Sequence, residues 1–362
     1  MADKIRFAYV GAGFVAQSIH IPNFAALDNC EFVALAEARP ALGREVAARY
    51  GIPTVYTSHE EICADDSIQA VGVSGPYALQ GRIAYDLLRA GKTVFMEKPM
   101  AVSLARAQSL VDASEGGKRL MVGYMKRYDT GNLALKRHMD SWRATGEMGR
   151  VLMARNHGFG GNWVYAQDPN IPVSTSNEAL PSAPTDAECP PWLPAHWRDA
   201  YLNYLQQLTH NVNLLRFFLD DTERTASVRT VELDADGYTG LVVLDIGGTR
   251  AIVESAYSRF HAWEEHTQIY FEGGWLKTDA PALMQKEVPA SVEIYRSGTS
   301  SDLPQKTEEF APASWSYREE AKHFLACLQN GEPFRSNALD TMHDVGLFEE
   351  IYRAFLKGRG EI

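Results

Sequence analysis

Ala8-Tyr9-Val10-Gly11-Ala12-Gly13-Phe14-Val15-Ala16 is the stretch whose reading decides the fold. Ahead of the glycines, Ile5-Arg6-Phe7-Ala8-Tyr9-Val10 reads as a short strand of β-branched and aromatic residues; behind them, Phe14 to Ala26 has helical apolar spacing. Gly11 permits a sharp turn, Gly13 lets the backbone approach a pyrophosphate, and Ala16, small where a third glycine often stands, lets helix and strand pack closely. The helix start at Phe14 and Val15 offers N–H groups and the positive end of the helix dipole to phosphates. A Gly-x-Gly-x-x-Ala turn also joins strands to helices in proteins that bind no nucleotide, so its meaning depends on the order of strands and helices after it.

A second strand, Glu31-Phe32-Val33-Ala34-Leu35-Ala36, ends in Glu37, 21 residues after Ala16. A carboxylate there accepts hydrogen bonds from the adenosine ribose hydroxyls and repels a 2′-phosphate, which favours NAD over NADP. Arg39, two residues on, could reach a 2′-phosphate and tempers that preference. Pro40 to Tyr50 reads as a helix opened by proline and closed by Gly51. The alternation continues with strand 68–74, a helix from about Leu79 to Ala90, strand 93–96, helix Leu104 to Glu115 and strand 119–124. Repeated strand and helix units predict a doubly wound parallel sheet, a Rossmann-type α/β domain whose ligands lie at the carboxyl ends of its strands. Those ends carry Gly11 to Val15, Glu37, Ser74-Gly75-Pro76-Tyr77, Glu97-Lys98-Pro99 and Tyr124-Met125-Lys126-Arg127.

Composition bounds the classes of function. At 362 residues two domains are expected. The net charge of -11 has no long run of either sign, which argues against nucleic acid or an anionic membrane surface as partner. Cys30, Cys63, Cys189 and Cys327 are scattered, without a Cys-x-x-Cys pair or a metal-ligand cluster. Reduced thiols in a cytoplasmic protein, and no metal, are the expectation. No apolar stretch is long enough to span a membrane, and no secretory signal opens the chain.

Glu97-Lys98-Pro99 carries the chemistry. An ammonium beside a nicotinamide can hydrogen bond to a substrate hydroxyl and ease its deprotonation, and a cis Lys98–Pro99 bond would turn that side chain to the ligand. With the glycine turn and the run Val122-Gly123-Tyr124-Met125-Lys126-Arg127-Tyr128, this motif resembles the Gfo/Idh/MocA oxidoreductases, the glucose-fructose oxidoreductase and inositol dehydrogenase group. The resemblance implies a dinucleotide-binding domain, 1–125, and a second α+β domain, 126–362, with an open, mostly antiparallel sheet. One face of that sheet often serves assembly, which implies a homodimer or homotetramer. Strand candidates at 150–155, 227–233, 240–246, 250–258, 267–271, 275–278 and 292–295 agree, with final helices 316–329 and 337–356 that would pack back on the first domain.

The resemblance also implies roles. Ser74, Pro76, Tyr77, Gln80 and Glu97 would neighbour the cofactor, although Pro76-Tyr77-Ala78-Leu79-Gln80 departs from the family's Pro-Asn-x-x-His. Tyr124, Lys126, Asn156 and His157 would contact substrate; a solvated loop lysine is the other reading of Lys126. On the helix Tyr201 to Leu219, His210 matches a substrate-facing histidine, while Gln206 stands where an Asp is usual and Asn213 replaces another. Without that carboxylate the imidazole lacks a partner to raise its basicity. Residues 158–197, with seven prolines and Trp163, Trp192 and Trp197, read as a lid or pocket-lining arm, or as a subunit arm or packed insertion.

The implied function is NAD(P)-dependent hydride transfer at a hydroxyl or keto carbon of a sugar, glycoside or cyclitol, with Lys98, His210 and Gln206 as the catalytic set. Two alternatives stay open. One is a glycoside-cleaving enzyme that uses tightly bound NAD for transient C3 oxidation and elimination; the other is a non-catalytic NAD-binding sensor.

Overall fold

The computed structural model describes residues 3–180, 188–259, 263–298 and 302–362. The chain divides into two compact units, each described by itself. The first comprises Met1–Tyr124, Pro169–Leu193 and Tyr317–Gly346; the second comprises Met125–Asp168, Pro194–Ser316 and Leu347–Ile362.

The first unit is built on β1 (Ile5–Val10), α1 (Ile21–Ala25), β2 (Cys30–Ala36), α2 (Pro40–Tyr50), β3 (Thr54–Tyr56), α3 (His59–Ala64), β4 (Ala70–Val73), α4 (Tyr77–Arg89), β5 (Thr93–Glu97), α5 (Leu104–Ala113) and β6 (Leu120–Gly123). The six strands pair in the order β3-β2-β1-β4-β5-β6, all parallel. Buried runs such as Ala70–Val73 and Leu120–Gly123 explain this: strands covered on both faces need apolar residues at every position. The helix after the glycine turn is not regular. Ala16–His20 form a π-turn in which the Ile21 N–H donates to the Ala16 carbonyl, five residues back. Pro22 accounts for it, having no N–H to give and a ring that crowds the preceding turn.

The second unit begins with α6 (Thr130–Thr145), β7 (Val151–Gly160) and α7 (Arg198–Phe218). Next come β8 (Ser227–Leu233), β9 (Gly240–Ile246), β10 (Thr249–Tyr257), β11 (Glu264–Phe271), β12 (Gly274–Asp279), β13 (Val292–Arg296) and β14 (Gln305–Glu309). They form one sheet, β14-β13-β12-β11-β7-β10-β9-β8, antiparallel except between β7 and β10. Strand β14, polar along its length, gives no alternating signal in the sequence. One sheet face is buried under α6 and α7; the other carries Arg155, His157, Phe159, Ile252, Tyr270, Trp275 and Tyr295, all half-buried.

The division departs from a simple cut at residue 125. Helices α8 (Ser316–Asn330) and α9 (Ala338–Gly358) come after β14, and residues 317–346 return to the first unit. There the Val122 N–H donates to the Ser336 carbonyl at 2.9 Å, and Phe324 joins Phe7, Phe24 and Phe95. Residues 169–193, placed by sequence in the second domain, also belong to the first unit. Their polar anchors are specific: Ser174 bonds both ends of the Gln17 amide, and Arg106 pairs with Glu188. Pro181 and Pro184 of this segment lie outside the described residues.

Candidate active site

At the end of β1 the Gly11 N–H donates to the Ala36 carbonyl at 2.8 Å, with φ at +96°. A Cβ on Gly11 would stand 2.2 Å from the Ser74 carbonyl oxygen, so the turn excludes any side chain here. Gly13 differs: nothing lies within 4 Å of where its Cβ would be. That open surface beside the helix start at Phe14 and Val15 fits a dinucleotide pyrophosphate.

Glu37 is buried and closes the same turn, accepting the Ala12 N–H at 2.7 Å. It also grips Arg39 at two points, from Nε at 2.7 Å and from Nη2 at 3.1 Å. The pairing raises the Arg39 guanidinium further above its ordinary pKa. Arg39 is therefore committed to Glu37 rather than presented to a 2′-phosphate.

The Lys98–Pro99 peptide is cis. Two side chains fasten the backbone around it. The Gln80 amide donates to the carbonyls of Glu97 and Pro99, each at 2.8 Å, while the Glu97 carboxylate accepts the Lys98 N–H at 3.0 Å. Gln80 is buried, Glu97 is half-buried, and both brace the backbone of the lysine turn. Ser74 and Pro76 lie on the β4–α4 connection, Pro76 immediately before Tyr77 opens α4.

Behind Glu97 lies a cluster the sequence did not signal. His20 Nε2 is 2.7 Å from Glu97 Oε1, and the fully buried Glu320 of α8 brings a second carboxyl to them. Donor atoms of the three lie within 4.8 Å of one another, and neither Glu320 oxygen has a hydrogen-bond partner. Burial first, and then the charge of Glu97, push the Glu320 carboxyl well above the usual range.

In the second unit His210 is buried on α7 and Gln206 is half-buried one turn earlier. Asn213 accepts a 2.6 Å bond from Arg127 Nε, so it holds a buried guanidinium instead of facing a ligand. Two expected substrate contacts, Lys126 and Asn156, are corrected here. Lys126 is buried against Glu265, with the Trp263 ring 5.8 Å away, and is not a second available cation. Asn156 is fully buried, donating to Thr267 Oγ1 at 2.7 Å and accepting from Asn211. His157 points to the opposite sheet face, because successive strand residues alternate, so the two cannot share a ligand. There it lies 2.9 Å from Glu254 and stacks on Phe159 and His266. Burial and the neighbouring His157 lower the His266 pKa; for Glu254, burial is the largest single influence and raises the carboxyl, but the bonds and charges of His157 and Arg155 together outweigh it and hold the group below the usual carboxylate range. Tyr124 is a further correction: 1% exposed, it belongs to the apolar core of the first unit. Trp163 is exposed, on the stretch after β7.

The parallel sheet and its glycine turn define a dinucleotide-binding domain of the Rossmann type. Residues 5–124 match the oxidoreductase family with an NAD-binding Rossmann fold named Gfo/Idh/MocA. It is 21% identical over 365 residues to an inositol 2-dehydrogenase of Rhizobium meliloti, covering 98% of each chain. Among solved structures it resembles a putative NADPH-dependent oxidoreductase from Desulfitobacterium hafniense, with a TM-score of 0.76 at 14% identity over 99% of this chain and 97% of that one. It also resembles a 3-ketoreductase from Actinomadura kijaniata bound to NADP and TDP-benzene, with a TM-score of 0.71 at 17% identity over 97% and 98% of the two chains. Among the described residues, no helix is long and apolar enough to cross a membrane.

Proposed function

We propose that the chain is a dehydrogenase or reductase, NAD preferred, acting at a carbinol or carbonyl carbon of a sugar, glycoside or cyclitol. The observation that carries this is the fastened Glu97-Lys98-Pro99 turn at the carboxyl end of β5. Its backbone is held on both sides by Gln80 and Glu97, so that one lysine is presented in a fixed place on a dinucleotide-binding sheet. The Gly11–Gly13 turn, Phe14, Val15 and Glu37 would hold the dinucleotide, which when bound supplies the hydride acceptor or donor. Lys98 exchanges the hydroxyl proton, its fixed backbone lowering the entropy cost of reaching it. His210 is the candidate substrate group of the second unit. Lacking a carboxylate at position 206, it serves as a hydrogen-bonding group rather than a strong base.

Turnover on a panel of sugars and cyclitols, followed by absorbance of the reduced cofactor, tests the reading. Lys98→Ala should lower kcat by about 10²–10⁴-fold while leaving NAD affinity within about twofold. Retained turnover overturns the role given to Lys98.

The open face of the eight-stranded sheet supports assembly as a homodimer or homotetramer. Phe159, Ile252, Tyr270, Trp275 and Tyr295 form an apolar and aromatic surface there. Sedimentation of the wild type as an assembly, and of Ile252→Glu as a monomer, is the expected result.

A further inference from the structure

Within the proline-rich segment, residues 172–178 and Glu188 are anchored to the dinucleotide-binding unit by a series of hydrogen bonds. Near the end of α2, Arg49 Nη1 donates to the Pro172 carbonyl at 2.8 Å and Nη2 to Ser174 Oγ at 2.6 Å. From the other side Gln17, whose amide also donates to the Ala12 carbonyl at 2.7 Å, bonds the Ser174 backbone. Four residues on, at the opposite end of α2, the Glu178 carboxylate accepts the N–H groups of Ala41 at 3.1 Å and Leu42 at 3.4 Å. Arg106 at the start of α5 then pairs with Glu188, Nε to Oε2 at 3.0 Å. Residues 172–178 therefore run the length of α2 and end at its N-terminus, directly after Glu37 and Arg39.

That N-terminus is where the chain could receive an anion next to the ribose-binding carboxylate. It has the N–H groups of a first helical turn, the positive end of an eleven-residue helix, and the guanidinium of Arg39. A 2′-phosphate would be drawn to that set of donors. The position is already filled from within the chain. We propose that Glu178 is a cofactor-specificity residue, a carboxylate held where the 2′-phosphate of NADP would dock, so that the chain selects NAD. The inference rests on the reading that the first unit binds a dinucleotide with Glu37 at the adenosine ribose. Two charges then act against a 2′-phosphate. Glu37 neutralises Arg39, and Glu178 takes the helix N–H groups and adds repulsion of its own. Burial, the largest single influence, raises the Glu178 carboxyl, but the Ala41 N–H, the Ser176 hydroxyl, the Leu42 N–H and Arg44 together outweigh it and hold the group below its ordinary range, so it is ionised at neutral pH.

Binding of NAD, NADP, ADP and 2′,5′-ADP to the full chain, measured by calorimetry, tests this without any substrate. The variants are Glu178→Gln, which removes charge and keeps an acceptor, and Glu178→Ala, which also opens space. Both should raise affinity for NADP and 2′,5′-ADP about tenfold and leave NAD and ADP within twofold, with the gain shrinking at high salt. An unchanged NADP-to-NAD ratio overturns the proposal, as does an equal change for all four ligands, which would make Glu178 a general anchor of the segment. A wild type that binds none of the four would instead overturn the dinucleotide reading beneath it. Unaltered thermal unfolding of the variants confirms that the comparison is between folded proteins.

Discussion

Glu37 and Arg39, two positions apart at the end of β2, share a two-point ion pair, with Nε 2.7 Å from Oε1 and Nη2 3.1 Å from Oε2. The pair joins the carboxylate proposed to bind the ribose and a potential phosphate-binding cation in one contact, each limiting the other. Glu37→Ser should lower NAD affinity about tenfold, by loss of carboxylate acceptors, and release Arg39 toward NADP. Competitive binding of the two cofactors reads the outcome; parallel losses for both would show that Glu37 acts only through the Ala12 N–H it accepts.

Gly11 fits the turn for two separate reasons, a positive φ and the Ser74 carbonyl 2.2 Å from any Cβ. Gly11→Ala should destabilise the first unit by about 2–4 kcal/mol and weaken NAD binding, because relieving the contact moves β4 or the turn itself. Gly13→Ala meets no atom of the chain. It should leave stability nearly unchanged while weakening NAD binding, and denaturant unfolding beside NAD titration separates the two effects.

Lys126 and Glu265 form a buried pair in the second unit, their side chains 6% and 1% exposed. Lys126→Met strands an uncompensated carboxylate and should cost about 3–5 kcal/mol, most of it recovered in Lys126→Met/Glu265→Leu. Chemical unfolding of the single and double variants measures this. A single variant that unfolds like the wild type would mean that water reaches Glu265.

Glu320 supplies a pH dependence. Its folded pKa is raised above the unfolded value of 4.5 by burial and by Glu97, so its contribution is fully present below that value and is lost as pH rises toward the folded pKa. Glu320→Gln removes this dependence. The variant should gain on the wild type by up to about tenfold in the folding constant per pH unit above 4.5. A variant that is destabilised equally at every pH, together with a wild type weakened by chelators, would point instead to a cation between His20, Glu97 and Glu320. His323 acts with the opposite sign. Burial and Arg335 lower it to about 4, so the stability it contributes is present above 6.5 and lost as pH falls toward 4. His323→Gln should flatten that acid limb in a thermal-unfolding series.

Local sequence determined the elements that a short window can encode. The strand, glycine turn and helix start at Tyr9–Val15, the apolar parallel strands, the acid at Glu37 and the Glu97-Lys98-Pro99 turn all express steric or hydrogen-bonding demands met by near neighbours. Tertiary structure decided what each polar side chain is spent on. Asn156 and His157 are adjacent in sequence yet face opposite sides of a sheet, and Lys126 is neutralised by a residue 139 positions away. Gln80 and Glu97 brace the lysine turn, and His20 reaches Glu97 from a π-turn that Pro22 explains only once the helix is seen. The anchoring of residues 172–178 along α2 had no periodic signal at all. A buried or ion-paired group is defined by its partner, and these partners are brought together by chain folding rather than by spacing, so motifs located the cofactor turn while long-range contacts assigned the work of the residues around it.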